Sequence, residues 1–288
     1  MAAKDHDPMS ETTVDRDLRF FPVPTDRPRA FLSREQIETY NRDGCLPCLD
    51  FCSPAEVVHN RQVFDRLLAA YQAKGQDSYW VNNCQKTCGS LYDLCRHPGI
   101  TAAVGDILGD SFALWSTHYF CKLPHDPKSV TWHQDAPYWP FTPSKTVTVW
   151  LAIDDSDDGN GAMRVIPGSH LAGALPMRKS TPEENNVLWF TVDDIERHGT
   201  PKSVILKAGQ ASLHSDMLLH GSPPNTSDRR RCGLTLRYCS LDVHNDQGWN
   251  EHSIIIKGSD PSGHWGTITS RPPRDDAFVN DGPAIGSN

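Results

Sequence analysis

Three segments in the first part of the chain carry apolar residues at the spacing of an α-helix. Ser33 with Gln36, and Ser53 with Glu56, form capping boxes, in which each side chain satisfies a free backbone N–H at the start of a helix. A glycine follows each segment, as is common at helix ends. The pattern therefore predicts three helices, which begin at Ser33, Ser53 and about His97 and end at Gly44, Gly75 and Gly109.

The pattern changes from residue 111 onward, where short β-branched and aromatic segments alternate with Gly, Pro and Asp turns. Several short strands at this spacing are typical of a sandwich or barrel. The stretch 172–200 has few strand signals and is long for a simple connection, which indicates a lid or binding loop. The predicted strands are Phe112–Cys121, Lys145–Ile153, Ala162–Ile166, Ser203–Leu206, Ala211–His214 and Gly233–Leu241.

One domain with helices packed on a β core is the simplest organisation. We predict a flexible polar arm over residues 1–30, a single domain over 31–266 and an irregular Pro- and Gly-rich tail over 267–288.

Composition excludes several classes of protein. Of the 288 residues 38% are hydrophobic, and the net charge is −8, which fits a globular protein and argues against nucleic acid or anionic membrane as a partner. The N-terminus lacks the apolar core of a signal peptide, so a cytoplasmic monomer or homodimer is expected. The nine cysteines are predicted to be free thiols, because the Cys45–Cys48 pair has no second CxxC pair with which to bind zinc.

His133 and Asp135 are the first candidate metal ligands. Residues i and i+2 of an extended strand point to the same face, so one imidazole and one carboxylate can meet at one point. A distant histidine would complete a facial triad of two histidines and one carboxylate, which suits Fe(II) and leaves coordination positions open. His220 is favoured for this role, and His170 and His214 are the alternatives.

The segment after His220 contains groups suited to a dicarboxylate. Arg231 follows His220 by eleven residues, and a guanidinium presents a planar fork to a carboxylate. Ser222 adds a hydroxyl donor. Arg231 is favoured over its neighbours Arg229 and Arg230 and over the nearby Arg237, which are expected to form surface ion pairs.

The sequence resembles the phytanoyl-CoA dioxygenase family of Fe(II)- and 2-oxoglutarate-dependent oxygenases over roughly residues 31–245. The resemblance rests on Trp-His-Gln-Asp at 132–135, His-x-Ser at 220–222, Ser-Asp-Arg at 227–229 and Pro-Gly-Ser-His at 167–170. It implies a double-stranded β-helix, or jelly roll, with flanking helices. It also implies that His133, Asp135 and His220 bind iron, that Arg231 and Ser222 bind the cosubstrate, and that Gln134 and Trp150 lie beside them.

Position alone adds further candidates. Tyr119 is placed near the cosubstrate, and Tyr138, Trp139, Asn82 and Asn83 are placed near the substrate, although an aromatic core role fits Tyr138 and Trp139 equally well. Lys122 is expected to be exposed.

The predicted function is an Fe(II)/2-oxoglutarate-dependent dioxygenase that uses O2 to oxidise, most simply to hydroxylate, a small organic metabolite, with release of succinate and CO2. No strong basic patch is seen for the phosphates of coenzyme A, so a free small molecule is favoured as the substrate. An acyl-CoA hydroxylase is the alternative. A non-catalytic metal-binding jelly roll and a zinc hydrolase are the other hypotheses. Asp135 predicts oxidation rather than halogenation, since related halogenases have a small residue at that position.

Overall fold

The computed structural model describes residues 16–245 and 247–278. Its helices begin and end close to the predicted positions, and both capping boxes are formed. The helix of residues 89–95 was not predicted. The helices are α1 (Arg34–Asp43), α2 (Pro54–Ala73), α3 (Gly89–Cys95) and α4 (Pro98–Leu108). The strands are β1 (Cys45–Asp50), β2 (Phe112–Lys122), β3 (Val130–His133), β4 (Thr146–Ala152), β5 (Arg164–Val165), β6 (Arg178–Lys179), β7 (Phe190–Thr191), β8 (Lys202–Ser203), β9 (Gln210–Ser215), β10 (His220–Ser222), β11 (Arg231–Ser240) and β12 (Ile254–Lys257).

Two antiparallel sheets form the jelly roll that the sequence predicted. The major sheet has the order β1-β9-β4-β11-β2-β12, and the minor sheet has the order β3-β10-β5-β8. Neighbours in these orders are distant in sequence, as expected when strands alternate between two sheets. A two-stranded ribbon, β6-β7, lies within the segment 172–200.

Alternation along β11 separates the core from the interior of the roll. Leu234 and Leu236 pack with Phe64 and Leu67 of α2 in the main hydrophobic cluster, so the helices cover the outer face of the major sheet. The odd-numbered residues of β11 point to the opposite face. That face therefore carries Arg231, Gly233, Thr235 and Arg237.

The structure differs from the predicted strands in each sheet, and β1, β12 and the ribbon β6-β7 were not predicted. The strand predicted at Ser203–Leu206 is limited to Lys202–Ser203, and Leu206 forms only an isolated bridge to Ser156. β3 and β10 were missed because they are short and carry polar residues for the site instead of alternating apolar ones.

The described part of the predicted arm follows the surface of the domain in irregular conformation. Val23 is buried, and the Arg16 side chain donates to the carbonyl of Trp139 at 2.6 Å. Residues 267–278 are likewise irregular, and Arg271 pairs with Asp93 of α3. Residues 1–15 and 279–288 lie outside the described residues. Within the described ranges no helix is long and apolar enough to cross a membrane.

Candidate metal and cosubstrate site

His133, Asp135 and His220 lie together inside the roll. β3 and β10 pair antiparallel with His133 opposite His220, which brings the two imidazole rings to a centroid separation of 4.1 Å. One potential ligand atom from each of the three side chains lies within 4.8 Å of the others, and all three residues are buried. In the part of the chain that the structure describes, no other such group of three was found.

Asp135 reaches this point by a different route from the predicted one. β3 ends at His133, and Asp135 has helical backbone angles of φ −72° and ψ −44°. The prediction that the pair lies in one extended strand is therefore wrong. A short helical turn instead directs the carboxylate back toward His133, with 3.6 Å between Asp135 Oδ1 and His133 Nε2. The backbone N–H of Ala136 donates to the carbonyl of Asp216 at 2.9 Å and holds the turn in place.

Backbone carbonyls fix the orientation of both imidazoles. His133 Nδ1 lies 2.8 Å from the carbonyl oxygen of Thr131, and His220 Nδ1 lies 2.9 Å from that of Leu218. A carbonyl only accepts, so each Nδ1 carries the proton and each Nε2 keeps its lone pair free. Metal-binding histidines are commonly held in this way. The two imidazoles and one carboxylate thus fit a divalent transition metal.

The surroundings favour the ionic forms that a metal needs. Burial lowers the pKa of His220 well below its ordinary value, and His133 adds to this effect. Burial alone would raise the pKa of Asp135, but the nearby His133 and His214 side chains, together with the charge of Arg237, hold it well below its ordinary value. These shifts favour a neutral His220 beside an ionised Asp135 carboxylate.

The two alternative histidines differ in position. His214, on β9, is buried and lines the same cavity, with its Nε2 3.9 Å from Asp135 Oδ2. His170 lies elsewhere, under α1. Its Nε2 is 3.1 Å from the carbonyl oxygen of Asn41, and its ring packs on Phe20 at 4.4 Å. His214 is therefore the nearer competitor to His220.

Arg231 and Ser222 lie side by side in the cavity next to the three ligands. Arg231 Nη2 donates to Ser222 Oγ at 3.2 Å, Nη1 donates to the carbonyl of Phe120 at 3.2 Å, and Nε has no partner among the described residues. The guanidinium carbon lies 5.5 Å from the centre of the Trp150 ring. Arg231 is only 2% exposed and forms no salt bridge within residues 16–245 and 247–278, so it is a buried cation without a carboxylate partner in those ranges.

Arg229 and Arg230 point away from this cavity. Arg229 pairs with Asp157 at 2.8 Å, and Arg230 pairs with Asp154 at 2.7 Å and with Asp65 at 2.6 Å. The prediction of ion pairs is confirmed for both residues.

The prediction of a surface ion pair is wrong for Arg237, because this residue is buried and forms no salt bridge with a described residue. Its Nε and Nη1 atoms have no hydrogen-bond partner there. The guanidinium carbon lies between 5.5 and 5.9 Å from the ring centres of Trp115, Phe120 and Trp139. It lines the cavity together with Asp135. Arg237 follows Arg231 by six residues in one strand, and an even spacing places both side chains on the same face. This spacing was the signal in the sequence that Arg237 faces the cavity.

Lys122 is also buried, so the expectation of an exposed lysine is wrong. It stands opposite Arg231 in the pairing of β2 with β11. Its Nζ donates to the carbonyl of Lys128 at 2.6 Å. Burial, with a contribution from the charge of Arg231, lowers the pKa of Lys122 to about 6.

The profile of the phytanoyl-CoA dioxygenase family matches residues 40–233, which is more than half of the chain. The chain is a member of that family. Peroxisomal phytanoyl-CoA dioxygenase of Bos taurus is 23% identical over 74% of this chain and 70% of its own length. A probable alpha-ketoglutarate-dependent hypophosphite dioxygenase of Stutzerimonas stutzeri is 30% identical over 57% of both chains. The solved structure of the non-heme monooxygenase ThoJ in its apo form is 28% identical, with a TM-score of 0.69 over 83% of this chain and 88% of that chain.

Membership of the phytanoyl-CoA dioxygenase family confirms three predictions: the resemblance itself, the jelly-roll fold and the class of Fe(II)/2-oxoglutarate-dependent dioxygenases. The chain spans between about half and seven tenths of the length of the first curated relatives it matches.

Trp150 lines the cavity as the resemblance implied, whereas Gln134, also implied by the resemblance, and Tyr119, a candidate from its position, do not. The Gln134 side-chain amide nitrogen donates to the carbonyls of Gly173 and Met217, and its oxygen accepts from the N–H of Leu175. Gln134 therefore ties the start of the segment 172–200 to the roll. Tyr119 points the other way, into the main core, where its ring packs on Phe64 at 4.7 Å.

The predicted substrate residues also lie outside the described cavity of this phytanoyl-CoA dioxygenase family member. The Tyr138 hydroxyl exchanges hydrogen bonds with the backbone of Phe190 in the segment 172–200, and Trp139 is 1% exposed in an aromatic cluster. The side chains of Asn82 and Asn83 form hydrogen bonds within the protein. Asn82 donates to the carbonyl of Trp80, and Asn83 accepts from Ser116.

Proposed function

We propose that this protein binds one Fe(II) through His133, Asp135 and His220, binds 2-oxoglutarate through Arg231 and Ser222, and oxidises a C–H bond of a small organic metabolite. The observation that carries the proposal is the buried three-residue cluster with an unneutralised guanidinium in the same cavity. Family membership supports the same conclusion.

The donor set suits Fe(II). Two neutral imidazoles and one carboxylate leave the ion with a net positive charge and with positions for further ligands. Iron bound here would activate O2 for the oxidative decarboxylation of 2-oxoglutarate to succinate and CO2, and for oxidation of the substrate. The chain's own contribution is to hold both Nε2 atoms ready through the Nδ1 hydrogen bonds of His133 and His220.

Two buried arginines match the two carboxylates of 2-oxoglutarate. We assign the far carboxylate to Arg231 and Ser222, next to the ring of Trp150, because a fork of N–H donors binds a carboxylate with two hydrogen bonds. Arg237 lines the same cavity as Asp135, and its Nε and Nη1 atoms are buried without a partner among the described residues. Such atoms are costly without a partner, so Arg237 is expected to meet an anionic group once the site is filled.

Asp135 favours one of two reaction outcomes. A halogenase needs a free position on the metal for halide, and the ionised carboxylate of Asp135 stands among the ligand atoms. The expected product is therefore an oxidised one, most simply an alcohol.

The test is succinate formation from 2-oxoglutarate by the full-length protein with Fe(II) and O2, measured without added substrate and then with candidate metabolites under 18O2. We expect metal-dependent succinate from the unmodified protein and from His170→Ala, which is the matched control, and none from His220→Ala. Zinc-dependent ester or amide hydrolysis without succinate would favour a hydrolase. Metal binding without any turnover would favour a non-catalytic protein.

A further inference from the structure

A second and larger cavity, of about 570 Å³, lies beside the metal and cosubstrate site. One wall comes from the turn Ser78–Trp80 and from β2, and the opposite wall comes from residues 179–189 of the segment 172–200. Phe120 lines both this cavity and the one that contains the three candidate ligands. A molecule seated in the larger cavity would therefore contact the residue that borders the metal site.

Two residues that line this cavity, one from each wall, have a buried polar atom without a partner among the described residues, namely the Tyr79 hydroxyl oxygen and the Trp189 Nε1 atom. Tyr79 is only 7% exposed, and burial holds its pKa well above the ordinary value, so the hydroxyl keeps its proton. An indole N–H only donates. Buried polar groups are normally satisfied, and two unsatisfied donors on residues that line one cavity favour a ligand that brings hydrogen-bond acceptors.

The lining also offers several aromatic rings and one lysine without a carboxylate partner among the described residues. The rings of Tyr79, Trp80, Phe120 and Trp189 provide flat apolar surfaces. Lys128 is paired with Asp77, which cancels its charge. Lys179 lies at the exposed edge of the cavity and has no carboxylate within ion-pair distance in the described ranges. The nearby Glu184 pairs with Arg178.

We propose that this cavity is the substrate site and that it takes a ring-bearing organic acid, with the ring between the aromatic walls, acceptor oxygens at Tyr79 and Trp189, and the carboxylate at Lys179. This inference rests on the proposed function. The volume falls in the ordinary range for sites of drug-sized ligands. A coenzyme A thioester carries several phosphate charges, and a lining with one unpaired lysine does not match them.

The experiment compares the binding of 2-naphthoate, 2-naphthamide and hexanoate to the full-length protein by calorimetry, with and without Ni(II) and 2-oxoglutarate. We expect 2-naphthoate to bind most tightly. Tyr79→Phe and Trp189→Phe should each weaken it about fivefold, which corresponds to one lost hydrogen bond. Lys179→Met should weaken 2-naphthoate by up to about fivefold and leave 2-naphthamide unchanged, as expected for an exposed ion pair. Lys202→Met, an exposed lysine outside the cavity, is the matched control and should change neither.

Two results would overturn the inference: no binding of either naphthalene ligand, or binding that none of the three cavity variants alters. The proposed function is tested separately by succinate formation. Succinate without binding of ring acids would reject this substrate class and keep the oxygenase, whereas binding without succinate would do the reverse.

Discussion

Gly233 on β11 lies directly against the indole ring of Trp150 on β4. A Cβ atom added to Gly233 would come within 1.9 Å of Trp150 Cζ2, far inside van der Waals contact. The glycine is required here by the close approach of the ring. This contact sets the position of Trp150, which in turn lies 5.5 Å from the Arg231 guanidinium. The geometry of the proposed cosubstrate site therefore depends on the absence of a side chain at Gly233.

Gly233→Ala is expected to displace Trp150 and to raise the 2-oxoglutarate concentration needed for half-maximal succinate formation. Overpacking of this kind costs about 1–3 kcal/mol, so the melting temperature should fall as well. Gly105→Ala is the matched control, because its Cβ would meet Phe112 at an ordinary 3.5 Å inside α4. The double variant Gly233→Ala with Trp150→Leu should recover stability. Unchanged 2-oxoglutarate dependence in Gly233→Ala would contradict the role given to Trp150.

Arg231→Lys is expected to raise the 2-oxoglutarate requirement strongly, with a smaller effect on substrate binding, because an ammonium group cannot reproduce the bidentate fork. Arg229→Lys is the matched control, since Arg229 pairs with the partly exposed Asp157 outside the cavity. Steady-state measurements at varied 2-oxoglutarate provide the comparison. If Arg229→Lys shows the larger effect, the assignment of the cosubstrate arginine is wrong.

His220→Ala is expected to keep the native circular dichroism spectrum and to lose Ni(II) affinity, measured by calorimetry. The loss should exceed the roughly 10–100-fold effect typical of a residue that only supports a ligand. His214→Ala is the informative comparison, because His214 lies in the same cavity and close to Asp135. We expect it to weaken binding less. A greater loss in His214→Ala would exchange the roles of the two histidines.

The buried Lys122 is expected to make the free energy of unfolding rise with pH. Its folded-state pKa is lowered to about 6, whereas an unfolded lysine has its ordinary value near 10.5. Between these values the unfolded chain binds the extra proton, so unfolding becomes less favourable as pH increases. The difference corresponds to a term on the order of 6 kcal/mol, which is absent at high pH, grows as the pH falls and opposes folding in full below pH 6.

Urea unfolding of Lys122→Met between pH 6 and 9 should lack much of the upward slope seen for the unmodified protein. Lys202→Met, an exposed lysine, should retain it. If the free energy of unfolding had the same pH slope in all three proteins, the Lys122 side chain would not be held as a neutral amine.

The sequence alone determined the features that depend on local chemistry. Capping boxes at Ser33 and Ser53 located two helices, since a cap needs only residues three positions apart. The His-x-Asp pair, the distal histidine and the following arginine were visible as residue types at characteristic spacings. The long strands β2, β4 and β11 were visible because they are rich in β-branched and aromatic residues and lie between Gly, Pro and Asp turns.

The tertiary structure decided which of these groups meet and how. Asp135 reaches the site through a helical turn anchored by the backbone of Asp216, a contact between segments about 80 residues apart that no local pattern encodes. Arg237 and Lys122 read as ordinary charged residues in the sequence. They are buried because β11 and β2 turn the faces that carry them toward the interior of the roll. Which charged side chains lose their contact with water is fixed by the packing of the sheets, and that packing depends on the whole chain.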